Sequence, residues 1–150
     1  MSIKQKILGY HDIVVSPKMT VSLLQSQFEE KLGTKIRVYK LTTKGQVYTG
    51  RGSRPATPEE ELESICTNGS MIPSITIQQS FTVENIEKEF ADIMGIGIQI
   101  MTPDGCSFAP NNMKLSYVRL AFTEKPTIMS IFTYIQEVCL EFNKMWIQKR

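Results

Sequence analysis

The sequence has few of the residues from which disulfide frameworks and metal sites are built. Its three cysteines, Cys66, Cys106 and Cys139, are odd in number, lie far apart and have no CxxC spacing. Neither a disulfide framework nor a zinc site is therefore predicted. The single histidine, His11, lies beside Asp12 with no nucleophile nearby, so a turn residue is favoured over a catalytic base.

Long apolar runs are also missing. No segment approaches the roughly 18 uninterrupted apolar residues of a membrane span, and the first residues contain no apolar run of signal-peptide length. This pattern favours a soluble, cytoplasmic protein without a membrane partner.

An excess of charge is missing too. Seventeen basic and fifteen acidic residues leave a net charge of +2, which is too small to indicate a nucleic-acid or membrane surface by itself. The apolar content of 41% is sufficient for one domain, or for two small halves that share a core. Any charged binding surface must therefore be local.

Enzyme motifs are equally scarce. The acidic run of Glu59, Glu60, Glu61 and Glu63 is predicted to begin a helix, where negative charge is favoured, and not to bind a cation. No set of nucleophile, base and orienting group is visible. We therefore predict a protein that is not an enzyme, with no catalytic residue, no metal and no cofactor.

What the sequence does contain is an internal repeat. Residues 13–39 align without a gap on residues 75–101, and the two segments share identical residues at structurally demanding positions. Each segment contains a short alternating strand, a helix, a glycine and a second strand. Such self-similarity indicates duplicated supersecondary units. The identical pairs are Ile13 and Ile75, Thr20 and Thr82, Val21 and Val83, Phe28 and Phe90, Gly33 and Gly95, and Ile36 and Ile98.

The repeated positions predict how each helix begins and ends. Thr20 and Thr82 are suitable N-caps, and Gly33 and Gly95 stand where a left-handed residue ends the helix. Spacings of three and four predict one apolar stripe along the second helix. That stripe consists of Val83, Ile86, Phe90 and Ile93.

Turn signals follow both repeats. Lys44-Gly45 and Asp104-Gly105 are predicted as the centres of tight hairpin turns. After the first hairpin, a helix is predicted from Thr57 as N-cap, with Pro58 in its first turn and Glu60 closing a capping box. The segment 111–118 is its shorter counterpart, and the alternation in 117–123 predicts a closing strand.

This order of elements resembles the ubiquitin-like β-grasp family in two tandem, incomplete copies. The resemblance implies an α+β fold of duplicated β-α-β-hairpin units, at residues 1–70 and 71–124, followed by a long helix at 125–150. The chain ends without the paired glycines of conjugated family members, so the resemblance implies a protein-interaction module instead of a covalent tag. A ferredoxin-like βαββαβ sheet is the alternative architecture.

A basic segment is the sharpest indication of function. Between Glu30 and Glu59 there are seven basic residues and no acidic one. Alternation along 35–40 places Lys35, Arg37 and Tyr39 on the outer sheet face, where the second copy has Gly97, Gln99 and Met101. We predict a partner-binding face here. Its residues are Lys35, Arg37, Tyr39, Lys44, Tyr48, Arg51 and Arg54.

Two classes of partner fit this face. The first is an unidentified protein bound by a non-enzymatic interaction or adaptor module. The second is single-stranded nucleic acid or another phosphate ligand, with Tyr39 and Tyr48 available for stacking and Arg51 and Arg54 for phosphates.

The predicted C-terminal helix has two interpretations. From Pro126 onward its apolar residues follow a heptad-like seam that includes Ile135 and Val138. The helix is predicted either to cover the bare sheet face at Gly97, Gln99 and Met101 or to form the seam of a homodimer.

Overall fold

The computed structural model describes residues 12–41, 47–66, 73–121, 135–141 and 143–144. Helices and two small antiparallel sheets occur within these ranges, so the α+β class is confirmed. In chain order they are β1 (Ile13–Val15), α1 (Val21–Gln27) with a π-helical turn (Phe28–Leu32), β2 (Lys35–Lys40), β3 (Arg54–Pro55), α2 (Leu62–Ile65), β4 (Ile75–Ile77), α3 (Val83–Glu89) with a π-helical turn (Phe90–Met94), β5 (Gly97–Met101) and α4 (Leu115–Ala121).

Two units have a first strand, a helix and a π-helical turn with the same bounds at an offset of 62 residues, and the strand that follows begins at the same offset. We call residues 12–66 the first unit and residues 73–121 the second unit. The predicted caps are confirmed, because the Thr20 and Thr82 hydroxyls each accept a hydrogen bond from a backbone N–H three residues on, at 3.2 Å. The glycine stops are confirmed as well, since Gly33 has φ 67° and Gly95 has φ 63°.

The π-helical turns change which side chains the helices bury. A π-helical turn holds more residues than an α-helical turn, so the apolar stripe shifts within it. In α3 and its extension, Phe90 and Met94 are fully buried, whereas Ile93 is 36% exposed. The prediction that Ile93 belongs to the buried stripe was therefore wrong, and Met94 takes its place.

Most strand pairing runs between the two units. Strand β1 pairs with β4 in a two-stranded antiparallel sheet, and β2 lies between β3 and β5 in a three-stranded one. In the first sheet Val14 faces Thr76, and in the second Arg37 faces Gln99. Both pairs join equivalent positions of the repeat. The two units are thus related by a local two-fold axis, which passes through both ladders.

This topology bears on the two architectures considered from the sequence in different ways. A ferredoxin-like sheet would unite the four repeat strands, but these strands form two separate sheets, so that alternative was wrong. The β-grasp resemblance implies that the strands before and after each helix share one sheet. In the described residues β1 and β2 lie in different sheets, as do β4 and β5.

The two units also share one hydrophobic core. Phe28 of the first unit and Phe90 of the second are both fully buried, together with Leu24 and Ile86 from the helices. Strand residues Ile36, Val38, Ile98 and Ile100 close the same cluster. Truncating either phenylalanine to alanine is expected to cost about 3–5 kcal/mol.

The segments before α2 and α4 form matching hydrogen bonds with the first turns of α1 and α3. Backbone N–H groups of Val21 and Val83 donate to the carbonyls of Glu60 and Met113, each at 2.9 Å. These donors would otherwise be orphans in the first helical turn. The same segments donate back, since the Leu62 and Leu115 N–H groups bond to the carbonyls of Met19 and Phe81. The correspondence therefore extends beyond the aligned residues.

Two predicted elements in these segments were wrong. Helix α2 begins at Leu62, and Thr57 to Glu60 form a turn in which the Thr57 N–H donates to Glu60 Oε2 at 2.7 Å. The capping contact exists, but the chain does not continue as a helix from Pro58. The predicted closing strand at 117–123 is helical where it is described, as part of α4. Leu115 and Val118 are both fully buried, and residues three apart share a face on a helix but not on a strand.

The C-terminal helix meets the second unit at Lys114. Its described part covers residues 135–141 and 143–144, and Glu141 Oε1 lies 2.6 Å from Lys114 Nζ. Ile135 and Val138 of the predicted seam are exposed. The predicted beginning of this helix near Pro126 lies outside the described residues. No helix among the described ranges is long and apolar enough to cross a membrane.

Glu87 couples helix α3 to strand β5 and generates a prediction about pH. Its Oε1 accepts the Ile100 N–H at 2.9 Å, and burial raises the pKa of this carboxyl despite that bond. A raised pKa in the folded state favours folding with the proton bound, and this advantage is lost as pH rises through the folded-state pKa. Wild-type stability should therefore be penalised at neutral pH.

The variant Glu87→Gln keeps an acceptor oxygen but cannot ionise. We expect its melting temperature to exceed that of the wild type by more at pH 7 than at pH 4, measured by circular dichroism. Glu29→Gln, at an exposed position in the first unit, is the control and should show no such difference. An Glu87→Gln effect that is the same at both pH values would contradict the assignment.

Candidate interaction surface

The outer face of the three-stranded sheet displays two basic side chains from β2. Ile36 and Val38 point into the core, so the alternation of the strand leaves Lys35 and Arg37 exposed on the opposite face. Both were predicted from the sequence to lie there. Two members of the predicted site, two residues apart on β2, therefore lie on the same face of the sheet.

Phe108 adds an aromatic ring that sequence reasoning missed. It follows the hairpin after β5 and pairs with Met101 through an isolated antiparallel bridge. Its side chain is 52% exposed, and the Arg37 guanidinium carbon lies 5.6 Å from the ring centroid, within cation–π range. We call the surface formed by Lys35, Arg37 and Phe108 the basic face.

The available sequence signal for Phe108 was its place after the hairpin. The Asp104-Gly105 turn was predicted, and the chain returning from it had to lie beside β5. What the sequence could not show is that β5 is the neighbour of β2, which is the pairing that brings Phe108 to Arg37.

The hairpin also supports Lys35. Gly105 has φ 73°, and an added Cβ there would lie 3.0 Å from Lys35 Cδ, so the lysine stem crosses the backbone where glycine leaves room. The nearby Asp104 carboxylate accepts bonds from the Thr102 hydroxyl and, at 3.0 Å, the Cys106 N–H, which lower its pKa. Asp104 is thus held within its own turn.

The charges of the basic face are not neutralised within the described part of the chain. Lys18, Lys40 and Lys114 each form an ion pair with a glutamate there, whereas Lys35 and Arg37 form none with any described carboxylate. The Lys40 pair is the shortest of these, at 2.5 Å from Glu60. Lys40 and the Thr57 N–H lower the pKa of Glu60, so this carboxylate stays ionised and reduces the charge at that end of β2.

Tyr39 does not belong to the exposed surface. It is 5% exposed, and its hydroxyl donates to Gln99 Oε1 at 2.7 Å. Its ring is therefore unavailable for stacking on a base, contrary to the sequence prediction. The reason is that β5 and the 47–49 segment cover this end of the sheet, which the sequence of β2 alone could not indicate.

Residues of the first unit cover Gly97, where the C-terminal helix was predicted as a lid. An added Cβ at Gly97 would lie 2.8 Å from Thr49 Cγ2 and 3.4 Å from Val47 Cγ1. The missing side chain at Gly97 therefore makes room for the 47–49 segment. In the described part of the C-terminal helix, the ion pair joins Lys114 instead of this sheet face.

Three further predicted site residues, Tyr48, Arg51 and Arg54, are described and do not belong to the basic face. Arg54 is exposed on β3, faces Lys40 across the β2–β3 ladder and donates from Nη1 to the Leu41 carbonyl at 3.3 Å. Tyr48 and Arg51 are exposed in the segment before β3. Lys44, with the predicted Lys44-Gly45 turn, lies outside the described residues.

The arrangement can bind by charge and by apolar contact. Within the described ranges, no three His, Cys, Asp or Glu side chains form a group that could hold a metal ion. Cys66 is half-buried, and burial raises the pKa of its thiol to about 11, so the thiolate is scarce at neutral pH. His11 lies outside the described residues.

Comparison with known proteins identifies no relative. No family model matches the chain, and neither the curated proteins nor the solved structures contain a significant match. The ubiquitin-like resemblance therefore stays a prediction.

The Tyr39 hydroxyl should stabilise the pairing of β2 with β5. Removing it in Tyr39→Phe eliminates the bond to Gln99, and we expect a loss of about 1 kcal/mol in the free energy of unfolding, measured by urea titration. Tyr48→Phe is the matched control, because Tyr48 is exposed, and its stability should equal that of the wild type. Equal stability of the Tyr39 variant would exclude a contribution from this bond.

Proposed function

We propose that this chain is a non-enzymatic protein-interaction module that binds an acidic protein partner through the basic face. The observation that carries the proposal is the combination of Lys35, Arg37 and Phe108. The two cations are exposed and have no described carboxylate partner, and Arg37 lies over an exposed aromatic ring. Arginine and aromatic side chains are enriched among the residues that dominate binding energy at protein interfaces. The basic face offers both in contact with each other.

The residues of β5 that lie opposite Lys35 and Arg37 support the same proposal. Across the β2–β5 ladder, Lys35 faces Met101 and Arg37 faces Gln99, so β5 contributes no charge to the outer face. A carboxylate at Gln99 would neutralise Arg37 internally. With neutral residues there, the positive charge remains available to a partner, and burial beneath that partner would strengthen the interaction by lowering the local dielectric.

The scaffold beneath the face is, in our proposal, a duplicated unit. Its support comes from the common bounds of the first strand, helix and π-helical turn, from the left-handed glycines at equivalent positions and from ladders in which equivalent residues face each other. Matching hydrogen bonds at Val21 and Val83 extend the correspondence past the aligned segments. After duplication, one copy of the outer strand face would have remained basic while the other provided neutral support.

Charge reversal at Lys35 and Arg37 tests the proposed face. We expect Lys35→Glu/Arg37→Glu to weaken partner capture roughly tenfold or more, since loss of an interface hot spot costs about 2 kcal/mol or more. Capture is measured by quantitative mass spectrometry after pull-down from lysate, with circular dichroism confirming the fold. Lys88→Glu, an exposed lysine on α3, is the control and should retain the same captured proteins.

A captured set that is unchanged in the double variant would show that the partner binds elsewhere. Phe108→Ala separates the two components of the face, because it removes the ring without changing net charge. We expect it to weaken capture of the same proteins as the double variant.

Single-stranded nucleic acid remains the alternative partner for the wider basic region. Burial of Tyr39 leaves Tyr48 and Phe108 as the exposed rings for stacking near these cations. Fluorescence anisotropy with a labelled oligothymidine distinguishes the two partners. We expect no binding at low salt; binding that weakens steeply with added salt and is lost in Lys35→Glu/Arg37→Glu would instead assign the face to nucleic acid.

A further inference from the structure

The described part of the C-terminal helix exposes its apolar residues. Ile135 is 50% exposed, Val138 40% and Leu140 55%. The half-buried side is acidic, because Glu137 and Glu141 lie four residues apart and therefore share a face. A surface helix of a monomer ordinarily buries its apolar stripe and leaves its charges in water. In this segment that arrangement is reversed.

An ion pair shows which side of the helix faces the second unit. Glu141 Oε1 lies 2.6 Å from Lys114 Nζ and 4.0 Å from Lys144 Nζ, and the hydrogen bond from Lys114 lowers the pKa of the Glu141 carboxyl. Lys114 lies just before α4 and forms an isolated bridge with Thr82 at the beginning of α3. The acidic side of the helix is therefore turned toward the second unit at neutral pH.

Ile135 and Val138 are two positions of a longer apolar seam in the sequence. The seam residues recur at alternating spacings of three and four, and an average of 3.5 residues keeps such a seam facing a partner helix. A second copy of the chain has a seam with the same spacing, so the two seams match. The seam residues are Ile128, Ile131, Ile135, Val138, Phe142 and Met145, of which Ile135 and Val138 lie in the described ranges.

We propose that the chain forms a homodimer in which the C-terminal helices of two copies pack against each other along this seam. The contact is isologous, because both copies contribute the same surface. Packing of Ile135 and Val138 against the other copy removes from water the apolar surface that a single chain leaves exposed.

The charges beside the seam suit contact between identical copies. A second copy carries the same charges as the first, and like charges brought together across an interface oppose association. Ile135 and Val138 carry no charge, and neither do the exposed positions beside them, Gln136 and Cys139. The two glutamates of this segment lie on its half-buried side. The exposed seam is thus apolar and neutral, as contact with an identical surface requires.

Sedimentation velocity of the full chain over a series of protein concentrations tests the proposed dimer. We expect a dimer fraction that rises with concentration in the wild type. Ile135→Asp/Val138→Asp should weaken dimerisation roughly tenfold or more, because it places unpaired charges in the seam. Ile135→Ser/Val138→Ser, which adds no charge, should weaken it in the same direction. Circular dichroism checks that each variant is folded.

Leu140→Asp is the matched control. Leu140 is more exposed than either described seam residue, but it lies two residues after Val138 and so on a different side of the helix. This variant adds a charge to the same segment outside the seam and should dimerise like the wild type. Lys35→Glu/Arg37→Glu should also dimerise like the wild type, which separates the dimer from partner binding by the basic face.

Three results would overturn the proposal. The first is a folded wild-type chain that stays monomeric up to its highest soluble concentration, which would leave the exposed seam to a different protein. The second is a dimer that persists in both double variants of the seam, since the interface would then lie elsewhere. The third is an equal loss of dimer in Leu140→Asp, which would indicate apolar association without a defined seam.

Discussion

The antiparallel pairing of β2 with β5 is the interaction on which the rest of the structure depends. It joins the two units through five residue pairs and sets Ile36 and Val38 beside Ile100 and Ile98 on the core side. Because side chains alternate across a strand, the same register fixes Lys35, Arg37 and Gln99 on the outer side. A slip of one residue would expose the core side chains and bury the charges, so core and surface specify a single register.

The helix ends determine how the strands reach that register. Each helix begins at a threonine cap, closes with a π-helical turn and stops at a left-handed glycine, after which the chain enters β2 or β5 directly. Phe28 and Phe90 occupy the equivalent first position of that turn and are fully buried. The direction of the strand that follows each helix therefore depends on the packing of one phenylalanine. This arrangement is the same in both units.

Charge is distributed unevenly over this nearly symmetrical frame. Lys40 is satisfied by Glu60, Lys18 by Glu63 and Lys114 by Glu141, while Lys35 and Arg37 have no described ion-pair partner. Exposed ion pairs contribute little to stability, so the pattern matters chiefly for what remains positive at the surface. The basic face lies where the two units meet, and its electrostatics depend on both.

Local features of the chain could be predicted from the sequence because they depend on neighbours along it. The caps Thr20 and Thr82, the glycines Gly33 and Gly95, the burial of Ile36 and Val38 and the exposure of Lys35 and Arg37 follow from spacing and backbone geometry. Features that depend on distant neighbours could not. Only the tertiary structure placed β5 beside β2, buried Tyr39 against Gln99, brought Phe108 to Arg37 and covered Gly97 with Thr49. It also showed that 115–121 is a helix. Leu115 and Val118 both pack into the core, and the alternating pattern of 117–123 gives no indication of that. Which strands pair depends on the hydrophobic core that both units form, and the sequence of a single segment does not contain that information.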